Sequence, residues 1–170
     1  MNNNVDPKIS FNEDGICSHC IRYDLMCNIR RIKGEEANNE LNKIVSDMKK
    51  RGKNKSYDCL IGVSGGVDSS YVAYLVKKLG LRPLAVHLDN GWDSDLAVTN
   101  IKNLLEKLKI DLITNVINWE EFKDLQISFL KSSTTDGDIP TDHAIFATLW
   151  KTADKYDIKY IISGMNYATE

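Results

Sequence analysis

The sequence is poor in proline and cysteine, has almost no net charge and contains no long hydrophobic run. Its 170 residues include three prolines and four cysteines, and the formal net charge is −2. This balance gives no general attraction to nucleic acid or to an anionic membrane. The polar start over residues 1–6 lacks the apolar core of an export signal, and no apolar segment is long enough to cross a bilayer. We therefore expect a cytoplasmic protein whose reduced cysteines are metal ligands or core residues rather than disulfides.

Strand-like and helix-like patterns alternate along most of the chain. We predict strands at residues 57–63, 83–88, 112–117 and 159–162, and helices at 35–51, 68–79, 96–109, from 118 and from 141. This alternation predicts an α/β fold with a Rossmann-like, doubly wound parallel sheet. Residues 1–33 lack the periodicity and are predicted to form a small irregular, cysteine-bearing N-terminal segment. A helix and a basic linker follow over residues 34–56.

The segment Ser64–Ser70 reads Ser-Gly-Gly-Val-Asp-Ser-Ser and joins the first predicted strand to a helix. Its glycines let consecutive N–H groups converge on an anion, and the helix N-terminus adds positive charge. Because the loop has no lysine, it lacks the cation that clamps terminal phosphates for transfer. We interpret it as a cradle for the pyrophosphate of ATP that leaves the α phosphorus open to attack; the alternative is a glycine-rich turn without a ligand. The predicted ligands of phosphate and Mg²⁺ are Ser64, Gly65, Gly66, Asp68, Ser69 and Ser70, with Asp68 on the Mg²⁺.

Other polar residues fall where the carboxyl ends of the strands are expected. Asp89 closes the second strand, where it can accept hydrogen bonds from a ribose or form an ordinary turn. Asp142 and His143 begin a helix. They either stabilise it, with Thr141 as its cap, or orient the acceptor and handle protons as catalytic residues. His87 lies in an apolar strand and is predicted to be a core histidine with satisfied hydrogen bonds.

The cysteines near the N-terminus have the spacing of zinc ligands. Cys17 and Cys20 form a Cys-x2-Cys pair, Cys27 is a candidate third ligand and His19 a less suitable fourth. A structural zinc ion needs four ligands, so the alternative is a set of unmetallated thiols. Cys59 lies within the first strand and is predicted to be a core residue rather than a glutaminase nucleophile.

Longer stretches of the chain resemble a known family. The segment Ser64–Ser70 resembles the signature of the PP-loop ATP pyrophosphatases. A wider similarity, to the N-acetyl sugar amidotransferases, is carried by residues 11–20, 64–71, 87–92, 118–126, 139–144 and 164–170. The resemblance implies that residues 57–170 are the N-terminal portion of a PP-loop ATP pyrophosphatase domain, truncated relative to longer relatives. It also implies that Gly164 and Asn166 line the nucleotide and that Asp142 and His143 lie near the reacting amide.

The reaction of this family is implied by the same resemblance. Its members act in lipopolysaccharide and other surface-polysaccharide pathways, including those of pseudaminic and legionaminic acid. ATP with Mg²⁺ would adenylate the acetamido oxygen of a nucleotide-linked N-acetyl sugar and release pyrophosphate. Ammonia from a separate glutamine amidotransferase subunit would then displace AMP and leave an acetamidino group.

Two other functions remain as alternatives. A tRNA-thiolating PP-loop adenylase would bind tRNA in a strongly salt-dependent way through the basic cluster at residues 49–55. The acidic balance argues against nucleic acid, and a solvated helix end also explains that cluster. A truncated module would bind ATP without turnover, and an unprotected edge on its last strand would favour a homo-oligomer.

Overall fold

A computed structural model describes residue 2 and residues 4–165 of the chain. Their contacts divide them into two compact units, one that extends to Asn42 and one formed by Lys43–Met165. The second unit contains the whole four-stranded sheet. In the described part of the chain, no helix has both the length and the apolar character needed to cross a membrane.

Helices and strands alternate from the second helix to the last strand, except that two helices precede the last strand. The helices are α1 (Ser18–Arg30), α2 (Gly34–Gly52), α3 (Val67–Lys78), α4 (Asp95–Leu108), α5 (Trp119–Lys131) and α6 (Ile139–Lys155). The strands are β1 (Cys59–Gly62), β2 (Pro83–Asp89), β3 (Asp111–Val116) and β4 (Ile161–Ile162). The element types match the sequence predictions from α2 onward.

The strands form one parallel sheet in the order β3-β2-β1-β4. Alternate residues of the central strands point to opposite faces, as the twofold period of a strand requires. Cys59 and Ile61 pack with buried residues of α2, α3 and α4, whereas Leu60 packs with Leu149 and Ala153 of α6. Helices therefore cover both faces of the sheet, and the predicted doubly wound α/β fold is confirmed.

The carboxyl ends of β1, β2 and β4 lie along one edge of this sheet because the strands are parallel. A crossover helix returns antiparallel to its strands, so the N-termini of α3, α4 and α6 lie at the same edge. Strand β4 lies beside β1, on the side opposite β2. This edge carries the candidate site.

The N-terminal segment departs from the prediction. Residues 1–33 were expected to be irregular, but they contain helix α1. Its N-cap is Cys17, whose sulfur accepts a hydrogen bond from the Cys20 N–H. The prediction of irregular structure was wrong because cysteine is not among the usual N-cap residues and so gave no start signal.

Helix α6 begins two residues before the predicted Thr141. Its first residue is Ile139, and Pro140 lies in the first turn, where the fixed φ of proline suits a helix and its missing N–H costs nothing. Asp138 is the N-cap, without a side-chain hydrogen bond to the helix. Thr141 is therefore not the cap of this helix.

Arg82, just before β2, forms an ion pair with Asp58, just before β1, and also hydrogen-bonds the end of α2. The Arg82 guanidinium donates to both carboxylate oxygens of Asp58, at 2.7 and 3.1 Å, and to the carbonyls of Gly52 and Lys55, at 2.6 and 2.7 Å. The Asp58 side chain is only 3% exposed. Burial raises the pKa of this carboxyl, but the hydrogen bonds from Arg82 outweigh that effect and hold the pKa below its ordinary value.

Candidate functional site

The loop between β1 and α3 lies at the carboxyl edge of the sheet, as the phosphate-cradle interpretation requires. Gly65 has a φ of +76°, a conformation that L side chains rarely adopt. A Cβ placed on Gly65 would lie 2.5 Å from the carbonyl oxygen of Ala97 in α4. Asn100 of α4 also donates its side-chain N–H to the Gly65 carbonyl, at 3.2 Å. The loop is thus held against α4 at a point where only glycine fits.

The backbone amides of this loop are available to a ligand. Within the described residues, the N–H groups of Gly65, Gly66, Val67, Asp68 and Ser69 donate to no acceptor in the protein. Gly66 is the N-cap of α3 and has no side chain to satisfy the first turn. A run of unpaired N–H groups at a helix N-terminus favours an anion, both by direct hydrogen bonds and through the helix dipole. Asp68 is exposed in the same turn.

The serine hydroxyls hold the loop in shape. Ser69 Oγ accepts the Ser64 N–H at 3.2 Å, lies 3.2 Å from Ser64 Oγ and donates to the Gly66 carbonyl at 3.2 Å. Ser70 Oγ donates to the same carbonyl at 2.7 Å. Ser64, Ser69 and Ser70 were predicted to contact phosphate. The structure gives each of them a hydrogen bond within the loop, and their contact with phosphate stays a prediction.

The three glycines of the site differ in what surrounds them. Gly66 has an ordinary backbone conformation, with φ −80°, and an added Cβ would lie 3.4 Å from Ser64 Oγ. A Cβ on Gly164, after β4, would lie 3.2 Å from the carbonyl carbon of Asp68 and 3.3 Å from the Ser69 N. Gly164 therefore allows close packing on the first turn of α3. By contrast, no close contact within the protein requires a glycine at position 66.

The end of β2 joins the cradle through a histidine. His87 is buried, and its Nδ1 lies 2.9 Å from the carbonyl of Val63, the residue before the cradle. Its Nε2 lies 3.0 Å from Asp93 Oδ2, in the loop that follows β2. Both ring nitrogens have partners, as predicted for a core histidine, and the ring ties the two loops together.

Asp89, at the end of β2, forms a turn hydrogen bond and also lines a groove. Its Oδ1 accepts the Gly91 N–H at 3.0 Å, which is the ordinary turn given as an alternative to a ligand contact. The residue also lines a groove of about 490 Å³ between α4 and the face of β2 and β3. A contact of Asp89 with a ribose or adenine therefore stays a prediction.

Asp142 and His143 lie in the first turns of α6, at the same edge but on the other face of the sheet. Both are exposed, and they line a surface recess of about 460 Å³ with Phe146 and Trp150. Within the described residues, neither side chain has a hydrogen bond to the cradle. Their catalytic role stays a prediction. Asn166, predicted to line the nucleotide, lies outside the described residues.

Sequence reasoning missed two features of this edge. Asn100, which holds the Gly65 carbonyl, lies in mid-helix, where its tertiary partner leaves no sequence signal. Trp92 lies edge-on to Trp119, with ring centroids 5.5 Å apart, and donates its indole N–H to Gln126 at 2.9 Å. Although fixed in this way, Trp92 is 67% exposed. The position of this tryptophan, directly after the Asp-Asn-Gly turn that ends β2, was the sequence signal that could have pointed to an exposed aromatic residue at this edge.

The cysteines divide into one core residue and three in the N-terminal unit. Cys59 is fully buried, and burial raises the pKa of its thiol to about 12, which confirms a core role and excludes a nucleophile. Cys17 and Cys20 have their sulfurs 3.4 Å apart. Within the described residues, no group of three or more His, Cys, Asp or Glu could hold a metal ion. The predicted zinc site at Cys17, Cys20 and Cys27 therefore has no support.

The comparison with known families decides the ancestry of this site. The family model described as NAD synthase matches residues 37–137, which include β1, the cradle, β2 and β3. The chain belongs to the NAD synthase family. Membership confirms the coarser resemblance, to the PP-loop ATP pyrophosphatases, but not the narrower one to the N-acetyl sugar amidotransferases.

The curated proteins most similar to this NAD synthase family member include enzymes named for different reactions. It is 31% identical over 113 residues to a tRNA-specific 2-thiouridylase of Fusobacterium nucleatum, which covers 62% of this chain and 32% of the relative. It is 30% identical over 135 residues to the glutamine-hydrolyzing GMP synthase of Pyrobaculum aerophilum, which covers 75% of this chain and 25% of the relative. The chain thus spans about a third or less of these relatives.

Solved structures support the fold of the family member. The NMN synthetase of Francisella tularensis superposes with a TM-score of 0.51 at 24% identity, over 69% of this chain and 50% of that one. The NH3-dependent NAD synthetase of Campylobacter jejuni gives a TM-score of 0.51 at 18% identity, over 74% of this chain and 55% of that one. These likenesses concern the fold alone.

Proposed function

We propose that this chain uses ATP to adenylate an oxygen atom of an acceptor, releasing pyrophosphate. The acceptor we propose is the acetamido group of a nucleotide-linked N-acetyl sugar. Its oxygen attacks the α phosphorus of ATP, and the bond between the α and β phosphates breaks. Ammonia then attacks the imidate carbon, AMP leaves with the former acetamido oxygen, and an acetamidino group remains. A glutamine amidotransferase partner is the proposed source of the ammonia.

The observation that carries the proposal is the run of unpaired N–H groups at Gly65–Ser69, in a loop without lysine. Pyrophosphate is a compact anion with oxygens on both phosphorus atoms, and several converging amides can bind it. The open space at Gly66 is compatible with this interpretation, because the nearest protein atom to a Cβ there would be Ser64 Oγ, at 3.4 Å. Asp68, exposed in the same turn, would take part in holding Mg²⁺ on the phosphates.

The acceptor side is supported by Trp92 and the sequence resemblance. The indole is exposed beside the end of β2, yet its edge contact with Trp119 and its bond to Gln126 fix the ring. A fixed, exposed indole is a flat apolar surface with low entropic cost of binding, which suits a pyranose ring or a base. The nearby Asp89 can accept hydrogen bonds from sugar hydroxyls.

An isotope experiment tests the proposed reaction. The chain would be incubated with ATP, Mg²⁺, ammonium ion and a panel of UDP-linked N-acetyl sugars whose acetamido oxygen is ¹⁸O. We expect AMP that carries ¹⁸O on its phosphate, an equal amount of pyrophosphate, and a sugar in which NH replaces the acetamido oxygen. Formation of ADP, or AMP without the label, would contradict the mechanism. The Gly66→Ala variant should keep the fold and need a higher ATP concentration for the same rate of pyrophosphate release.

A tRNA-thiolating adenylase is the second candidate, favoured by the 31% identity to the thiouridylase of F. nucleatum. It predicts that AMP formation depends on added tRNA and that binding weakens steeply with salt. The basic cluster at residues 49–55 gives it little support, because three of its cations already contact the protein. Lys49 donates to the Leu79 carbonyl, Arg51 pairs with Asp47, and Lys55 pairs with Asp157. If the chain binds ATP but releases no pyrophosphate with any acceptor, the third alternative, a module that only binds nucleotide, would be supported.

A further inference from the structure

Two cysteines in the N-terminal unit are arranged for chemistry that the adenylation site does not use. Cys17 is the N-cap of α1, and Cys20 lies in the first turn of that helix. The Cys17 sulfur accepts the Cys20 N–H at 3.4 Å, and the two sulfurs are 3.4 Å apart. Cys20 is exposed and Cys17 half-buried, so a small reagent can reach the pair.

The surroundings of this pair favour a dithiol over a metal site. A structural zinc ion needs four ligands, and the described residues offer no cluster of three or more suitable side chains. His19, between the two cysteines, instead has its Nε2 2.7 Å from Asp6 Oδ2. A disulfide has a sulfur–sulfur bond of about 2.05 Å, so closing the pair requires the sulfurs to approach by little more than 1 Å, roughly what a small side-chain rotation supplies.

We propose that Cys17 and Cys20 form a reversible dithiol–disulfide pair that exchanges with a low-molecular-weight disulfide of the glutathione class. The Cys17 thiolate attacks one sulfur of that disulfide, the sulfur–sulfur bond breaks, and one thiolate leaves. The Cys20 thiolate then attacks the Cys17 sulfur of the mixed disulfide and releases the second thiolate. Two cysteine protons pass to the two released thiolates, so two thiols are formed for each Cys17–Cys20 bond.

The helix assigns different roles to the two sulfurs. Cys17 lies at the positive end of α1 and receives an N–H bond, which stabilises a thiolate and makes it the attacking group. Cys20 is held 3.4 Å away on the same turn and is the resolving group.

Thiol trapping on the full chain tests this pair. The protein would be equilibrated in mixtures of reduced and oxidised glutathione, quenched in acid, alkylated and analysed by peptide mass spectrometry. In the wild type and in Cys27→Ser, we expect one unalkylated peptide that has lost two hydrogens across residues 17–20, restored by excess reduced glutathione. Cys20→Ser should accumulate glutathione on Cys17, and Cys17→Ser should form its adduct at least about tenfold more slowly.

Several results would overturn the proposal. Full alkylation of both cysteines in oxidised buffer, a disulfide that joins Cys27, or equal adduct rates in the two single variants would each contradict it. So would stoichiometric zinc in the purified protein that protects both thiols until a chelator is added. Circular dichroism of each serine variant separates a chemical effect from a loss of helix.

Discussion

Alanine at Gly65 and at Gly66 should have opposite consequences, although the two glycines are neighbours. At Gly65 the backbone has φ +76°, which costs an L residue about 1–2 kcal/mol. The added Cβ would also lie 2.5 Å from the Ala97 carbonyl oxygen, and overpacking of this kind costs about 1–3 kcal/mol. Gly65→Ala should therefore lower the free energy of unfolding by about 2–5 kcal/mol, measured by urea denaturation.

Gly66→Ala should leave that free energy nearly unchanged, since φ is −80° and the Cβ would lie 3.4 Å from its nearest neighbour. The methyl group instead obstructs an anion that approaches the loop amides. Loss of one hydrogen bond to a charged group, about 1.5–3 kcal/mol, should weaken ATP binding by about 10- to 150-fold in calorimetry. Wild-type ATP affinity in Gly66→Ala, or equal destabilisation by both changes, would refute the cradle.

Three further predictions concern stability, reactivity and the acceptor. Arg82→Ala should lower the free energy of unfolding by about 2–3 kcal/mol at pH 7, because it leaves Asp58 buried without its partner. Since the folded pKa of Asp58 is lowered, this difference should persist above about pH 4, the ordinary carboxyl pKa, and vanish as pH falls through the folded value. The thiol of Cys59, with a pKa of about 12, should be alkylated at least about a hundredfold more slowly than Cys20 in the native protein. Trp92→Ala should weaken binding of a UDP-linked N-acetyl sugar about tenfold without changing ATP affinity.

Each of these predictions has a contradicting outcome. A stability difference for Arg82→Ala that stays constant down to pH 2 would mean that the Asp58 charge is not responsible. Rapid alkylation of Cys59 in native protein would mean that β1 opens readily. Equal sugar affinities for Trp92→Ala and wild type would remove the indole from the acceptor site.

The order of strands and helices followed from the sequence because its signals are local. Alternating strand-like and helix-like patterns and a glycine-rich junction each act within a few residues, and the helix predicted from residue 118 is α5, capped by the Asn118 side chain. The cradle was predictable for the same reason. Its lack of lysine and its place between a strand and a helix are both features of one short segment.

Contacts between distant segments could not be predicted in this way. The bond from Asn100 to the Gly65 carbonyl and the packing of Gly164 on α3 depend on where whole elements meet. Helix α1 was missed because its cap is a thiol, Cys17. The separation of Asp142 from the cradle depends on which face of the sheet α6 covers, and a sequence pattern does not specify that.

Gly164, just after β4, lies directly against the backbone at the start of α3, so the last strand bears on the helix that presents the loop amides. With 3.2 Å between a Cβ at Gly164 and the carbonyl carbon of Asp68, a larger residue requires the last strand and the helix to shift apart by a few tenths of an ångström. Such a shift would change the orientation of the unpaired N–H groups of α3 relative to β1, and the added Cβ would lie 3.3 Å from one of their nitrogens, that of Ser69. A mutation outside the loop would thus weaken anion binding by changing the directions in which the N–H donors point.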